Sequence, residues 1–184
     1  YDGNDVATLN TGAVLYSGLI NGDTFSGTYT GAFNNKNVGT GKTVTITPTY
    51  SGADVGNYSI TNHPTVTADV AVKALTATAS TANKGYDGTT TATTTLTFTG
   101  LVGTETLGQT VGSTFNNKNV GTGKTVTVNS ITLANGTNGG LAANYSISPG
   151  QTSTANVTAK ALSVSGITAS NKTYDANTTA TLNT

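Results

Sequence analysis

Two runs in this chain carry the residue types of phosphate chemistry. Gly39-Thr40-Gly41-Lys42-Thr43 and Gly121-Thr122-Gly123-Lys124-Thr125 each end like a phosphate loop, where backbone amides cradle an anion and a lysine reaches it. A complete loop needs an earlier glycine, at the places held here by Lys36 and Lys118, and it leads into a helix, whereas strand pattern follows both runs. The reading is a glycine turn feeding a strand. Lysine also raises the prospect of a Lys–Asn isopeptide bond promoted by a nearby acid, since lysines recur as Lys36/Lys118, Lys42/Lys124, Lys73/Lys160 and Lys84/Lys172. Acids recur at Asp2/Asp87/Asp175 and Asp23/Glu105. The plainer reading, that these lysines border strands and discourage edge pairing, is preferred.

Other chemistries find less support. His63 stands alone, without a second histidine or any thiol, and Gly150 takes its place in the second copy, so it reads as a loop histidine. The acids Asp2, Asp5, Asp23, Asp54, Asp69, Asp87, Glu105 and Asp175 are too scattered for the six to eight oxygens that calcium takes. Asp in Tyr-Asp-Gly reads as a turn cap. Ser, His and acid never gather in a recurring set, so nucleophilic catalysis has no basis. No catalytic, cofactor-binding or metal-binding residue is assigned, no cofactor is expected, and the chain reads as a protein that is not an enzyme. Thr rows (Thr43, Thr45, Thr47, Thr49; Thr93, Thr95, Thr97) suggest a water-ordering face, but Pro48 and phase changes interrupt them. Asn57, Asn135, Asn144, Asn156, Asn171 and Asn177 lie in Asn-x-Ser/Thr sequons, which matter where the host glycosylates.

The elements that position these residues come in copies. Phe33 to Thr45 returns letter for letter as Phe115 to Thr127, a shift of 82 residues. Tyr1-Asp2-Gly3 returns as Tyr86-Asp87-Gly88 and, altered, as Tyr174-Asp175-Ala176. Asn57-Tyr58-Ser59-Ile60 returns as Asn144-Tyr145-Ser146-Ile147, and Lys73-Ala74-Leu75 as Lys160-Ala161-Leu162. A period this long is a small domain rather than a solenoid rung. The 184 residues carry 9 % charged residues, eight lysines against eight acids and no arginine. A neutral chain of this kind lacks the basic face of a nucleic-acid binder. No apolar run is long enough to predict a membrane-inserted helix. Cysteine, methionine and tryptophan are absent, so each copy must hold by strand pairing and packing alone.

Period-two alternation marks the strands. Val44, Ile46 and Tyr50 alternate with threonines, while Val126 and Val128 alternate in one phase and Ile131 and Leu133 in the other, predicting a β-bulge between them. Leu96, Phe98 and Val102 form another set, matched by Val14, Tyr16 and Ile20. Leu75, Ala77 and Ala79 open a strand matched, with a slip, by Leu162, Val164 and Ile167. Val66 to Val72 reads as a last strand, matched by Ala155 to Ala159. Ser51 to Asn57 and Gly139 to Asn144 each have room for one helical turn.

The expected fold is all-β: tandem small β-domains, immunoglobulin-like sandwiches or β-grasp-like, set end to end. Residues 1–73 form a first repeat lacking its opening strand, 74–160 a complete second repeat, and 161–184 the opening strand and start of a third. With no Pro/Gly/Ser-rich linker at Lys73-Ala74 or Lys160-Ala161, neighbouring repeats of the same chain are each other's partners with little hinge freedom. The first repeat then offers an unpaired edge. Leu162 to Ala169 of one molecule is expected to complete the head of the next by strand complementation.

The landmarks Tyr86-Asp-Gly-Thr-Thr90, Asn117 to Val126, Asn144-Tyr-Ser-Ile147 and Ala159-Lys-Ala-Leu162 resemble the YDG-type repeats, related to the glycine-rich MBG repeats of large bacterial surface adhesins of the filamentous-haemagglutinin kind. The resemblance covers the whole chain. It implies an extracellular, cell-surface array with no catalytic residues, a stalk or filament segment in function. A carbohydrate- or ice-binding β module is the alternative. The third copy departs at Ala176, which tolerates positive φ worse than glycine.

Overall fold

The computed structural model of the chain describes residues 1–61 and 65–183, so His63 lies outside the described residues. The protein is all-β, with two single 3₁₀ turns at Val55–Asn57 and Ala142–Asn144, at the two places where the sequence leaves room for a helical turn.

The second copy is built from β5 (Lys73–Ala74), β6 (Thr76–Thr81), β7 (Lys84–Gly85), β8 (Thr91–Ala92), β9 (Thr94–Thr99), β10 (Leu107–Phe115), β11 (Gly121–Asn135), β12 (Tyr145–Ser146) and β13 (Thr152–Thr158). Five strands pair in the order β7-β13-β11-β10-β8, and β6 pairs with β9 in a separate ribbon. Because β6 runs on into β7 and β8 into β9, these two bent strands carry the chain from sheet to ribbon and close the pairing into a ring. A ring leaves few free edges. Inside it Phe115, Val126, Val128, Ala155 and Val157 are buried, with Tyr86 packed against them. Hydroxyls mark the bends: Thr81 Oγ1 bonds to Thr94 Oγ1 at 2.7 Å and to Ser153 Oγ at 2.6 Å, and Ser113 Oγ donates to Ala92 O at 3.1 Å. Gln109 ties ribbon to sheet like a strand, donating to Leu96 O at 2.7 Å and accepting the Leu96 amide at 3.1 Å.

The bulge read from the phase change is present. Gly112 pairs with Ser130 and Ser113 with Val128, so Asn129 is the extra residue, and its Nδ2 donates to Thr114 Oγ1 at 3.0 Å. The slip moves Ile131 and Leu133 to the face that Val126 and Val128 use.

The first copy reproduces four of these strands: β1 (Val6–Ala7), β2 (Ser26–Phe33), β3 (Gly39–Ser51) and β4 (Val66–Val70), paired in that order. They stand where β8, β10, β11 and β13 stand in the second. Among the described residues of the first copy, none takes the place of β6. The expected strand through Val14, Tyr16 and Ile20 is not formed: residues 8–25 run as turns and irregular chain. The same holds at the other end, where the strand expected through Leu162, Val164 and Ile167 is irregular and only β14 (Thr168–Ala169) pairs with β15 (Leu182–Asn183). A strand segment with nothing to pair with has no ladder to hold it.

Candidate functional site

The two glycine-lysine runs are neither anion loops nor turns ahead of a strand. Both lie inside strands β3 and β11, at register shifts against β4 and β13 between Gly39 and Lys42 and between Gly121 and Lys124. Gly41 and Gly123 take φ of 57° and 58°, the left-handed geometry that bulges of this sort give to glycine. The bulge turns the following lysine inward rather than toward an edge. Lys124, 9 % exposed, donates to Asn117 O and Asn117 Oδ1, both at 2.6 Å, and to Asn119 O. Lys42 does the same with Asn35 O at 2.6 Å, Asn35 Oδ1 at 2.8 Å and Asn37 O. Three acceptors match the three donors of an ammonium group. None of them is a carboxylate, so the pair that sequence reasoning raised for an isopeptide bond works as a cage that folds the Asn-Asn-Lys-Asn loop. The lysine at the strand border is therefore a core brace.

That loop delivers its neighbours to the boundary between copies. Only two residues separate β4 from β5, and β5 runs parallel to β12, with Lys73 opposite Tyr145 and Leu75 N–H on Ser146 O at 2.8 Å. Beside this ribbon sits Glu105, buried at 7 % exposure. Its amide closes a turn on Val102 O at 3.0 Å, which fixes the carboxylate's direction. The single 3₁₀ turn Ala142–Asn144 brings Tyr145 to it from the other side. Tyr145 OH donates to Glu105 Oε2 at 2.6 Å and accepts the Val102 amide at 3.0 Å.

The first copy supplies the rest. Tyr1 OH donates to Glu105 Oε1 at 2.6 Å, and Lys36 Nζ donates to the same oxygen at 2.9 Å. Tyr1 meets Tyr145 edge to face, centroids 5.4 Å apart, and Lys36 Nζ lies 5.8 Å from the Tyr1 ring centroid. Asn144, 1 % exposed, accepts the Val38 amide at 3.0 Å and donates to Asn37 Oδ1 at 3.1 Å. Gly3 completes the fit: at φ 87° a Cβ there would stand 2.4 Å from Val102 Cγ1.

Burial works against the Glu105 charge, but the Lys36, Tyr1 and Tyr145 bonds outweigh it and hold the carboxyl below its usual range. Burial and then the Glu105 bond push Tyr145 up to about 12 and raise Tyr1 as well. The Glu105 and Tyr1 bonds raise Lys36. All four groups are thereby held in the protonation states that bond to one another near neutral pH.

The acid-and-tyrosine half of this site recurs in the first copy. Asp23 closes the same turn, amide to Ile20 O at 3.1 Å; Tyr58 OH donates to Asp23 Oδ2 at 2.6 Å and accepts the Ile20 amide at 2.9 Å. At the head of each copy, Asp2, Asp87 and Asp175 cap the Tyr-Asp-Gly turn or its altered form through the amides of Asn4, Thr89 and Asn177. Sequence landmarks and structural joints thus coincide, and they are the landmarks of one family, matched over residues 1–68 and 71–155. The chain belongs to the YDG domain family. No curated protein and no solved structure matches it.

Sequence reasoning on this YDG pair noted that Asp23/Glu105 and Lys36/Lys118 recur, yet did not join Lys36 to Glu105. The signal was available. Both pairs shift by the same 82 residues, so an acid from one copy and a lysine from its neighbour can meet at every boundary. Among the described residues, no group of three His, Cys, Asp or Glu side chains is placed to hold a metal.

Proposed function

We propose that this YDG chain is a structural segment of a bacterial surface protein, a stalk or extracellular filament whose repeats transmit length and load. The observation that carries the reading is the Glu105 joint, where four side chains from two copies and a parallel strand pair meet across a two-residue connection. A chemical site would gather reactive groups around a space. Here they are spent on one another, and what they fix is the direction of one repeat relative to the next. Immunogold or protease shaving of intact cells tests the surface reading, with labelling expected before any permeabilisation. Labelling confined to broken cells would end it.

One observation favours a carbohydrate-binding module as the second reading. Tyr16, Phe25, Tyr29, Tyr50 and Tyr58 converge in the first copy, with Tyr16–Phe25 and Phe25–Tyr58 centroids 4.8 and 5.7 Å apart. Against it, Tyr16, Phe25 and Tyr29 stand where the second copy has Phe98, Leu107 and Val111, 82 residues on. These are inward positions of a fold rather than a grafted platform. Reproducible hits on a glycan array would reverse the preference.

A further inference from the structure

Two stretches of the second copy, distant in sequence, lie side by side and run in the same direction. Residues 73–86 hold β5, β6 and β7, and residues 145–158 hold β12 and β13. At one end Lys73 lies opposite Tyr145 and Ala74 opposite Ser146; at the other Lys84 lies opposite Val157 and Gly85 opposite Thr158. Cross-contacts separated by 72 and 73 residues connect these ends, so the two stretches keep one course through the repeat. Among the described residues every other strand pair is antiparallel.

The seam between them is fastened toward both ends. Leu75 N–H donates to Ser146 O and Tyr86 N–H to Thr158 O, each at 2.8 Å. Thr81 Oγ1 shares a hydrogen bond with Ser153 Oγ at 2.6 Å, and the Asn156 amide donates to Asn83 Oδ1 at 2.7 Å. Around Ala77 the seam widens into a groove of about 490 Å³ beside Ile147 and Pro149, so the bonds at its two ends carry the fastening.

These bonds lie across the path of any tension that the chain carries. Chain ahead of Lys73 draws on the start of the first stretch, and chain beyond Thr158 draws on the end of the second. The two pulls are opposed, and each runs along its own strand. Because the strands are parallel, the pulls slide one past the other and load the cross-bonds together. An antiparallel pair drawn apart from one end opens rung by rung instead, each bond meeting the whole force alone. Forced unfolding is governed by the unfolding barrier, and shear sets several bonds in that barrier where unzipping sets one.

We propose that residues 73–86 and 145–158 form a shear clamp, which makes the YDG repeat resist tension applied along the chain. The Glu105 joint fixes the direction of one repeat on the next; the clamp sets the force at which a repeat gives way. The inference deepens the load-transmitting part of the proposed function and rests on that reading for its use, while the resistance itself belongs to the repeat wherever the protein resides.

Single-molecule force spectroscopy of the full chain tests it. The chain has no cysteine, so Val72→Cys with Ala161→Cys puts handles on either side of the second copy, at exposed positions. Lys118→Cys with Ala161→Cys loads the same fold differently. It draws apart Gly121 and Val157, which face each other in the antiparallel β11–β13 pair. At one pulling speed, the first geometry is expected to unfold at about twofold higher force than the second. Freed chain lengthens by about 3.5 Å per residue, which identifies the event in each trace. Ser153→Ala removes the partner of Thr81 across the seam, and should lower the first force while leaving the second unchanged. Equal forces in the two geometries, or a higher force in the second, overturn the proposal, as does a first force that Ser153→Ala leaves unchanged. Such a failure would leave the cell-labelling result untouched, and labelling confined to broken cells would leave the clamp standing.

Discussion

The two copies of the repeat share landmarks, strands and turns, yet one is closed and the other open. In the second, β6 and β9 complete the ring, and Gln109 and Ser113 bind it at the bends with hydrogen bonds to Leu96 and Ala92. In the first, glycines stand in those places. Gly27 and Gly31 replace Gln109 and Ser113, and a Cβ on either would meet Tyr16 Oη at 2.6 Å or Leu9 Cδ2 at 2.8 Å. Leu9 and Tyr16 therefore lie on the sheet where the ribbon lies in the second copy, a partial cover that leaves a cleft of about 890 Å³ lined in part by Val44, Ile46 and Tyr50. The contrast teaches that what covers this sheet face decides how tightly the valines beneath it are packed.

Truncating equivalent core valines breaks this comparison most directly. Val126→Ala should cost about 2–3 kcal/mol, since packed atoms surround the cavity it leaves. Val44→Ala, beside the cleft, should cost less than half of that, read from denaturant midpoints at constant slope. Equal losses would mean that the first copy is packed as tightly as the second.

Next come the two tyrosine–acid pairs. Tyr145→Phe removes a donor to Glu105 Oε2 and leaves the Val102 amide without its acceptor in a buried place, about 1–3 kcal/mol. Tyr58→Phe makes the same change at a half-buried tyrosine whose Ile20 amide is solvent-accessible, and should cost distinctly less. Glu105→Gln keeps the shape but cannot satisfy Lys36 and both tyrosines. Melting followed separately in each copy should change from coincident to split transitions, without loss of either fold.

The smallest effect is that of pH, and its sign follows from which state holds the proton. Glu105 lies below its ordinary 4.5 when folded, so its contribution is complete above that value and is lost as pH falls through the lower folded one. Tyr145 runs the other way. Raised from 10.0 to about 12, it contributes fully below 10.0 and loses that contribution as pH climbs toward 12. Coupling between the copies should therefore hold on a plateau through neutral pH and fail at both ends. Glu105→Gln should remove the acid limb and weaken the alkaline one, since part of the Tyr145 shift comes from Glu105.

Much of the fold was legible because repetition printed it twice. The Asn129 bulge showed as a phase change between Val128 and Ile131, and the single 3₁₀ turns showed as gaps before Tyr58 and Tyr145. The strand through Val14 and Tyr16 was misread, because alternation reports what a segment would bury and not whether its partner is there to cover it. The buried Lys42 and Lys124 were misread for a related reason. A lysine in a polar sequence looks exposed, and only the fold of the Asn-Asn-Lys-Asn loop shows three oxygens converging on its ammonium group. The Glu105 joint needed two copies to be considered at once, since half of its residues come from each.

The central claim is that consecutive YDG repeats are fixed to each other in direction. Residual dipolar couplings measured over β3 in the first copy and β11 in the second test it in one experiment. A single alignment tensor fitting both is predicted, separating into two when Glu105 is replaced by alanine. Two unrelated tensors in the unaltered chain would contradict the account.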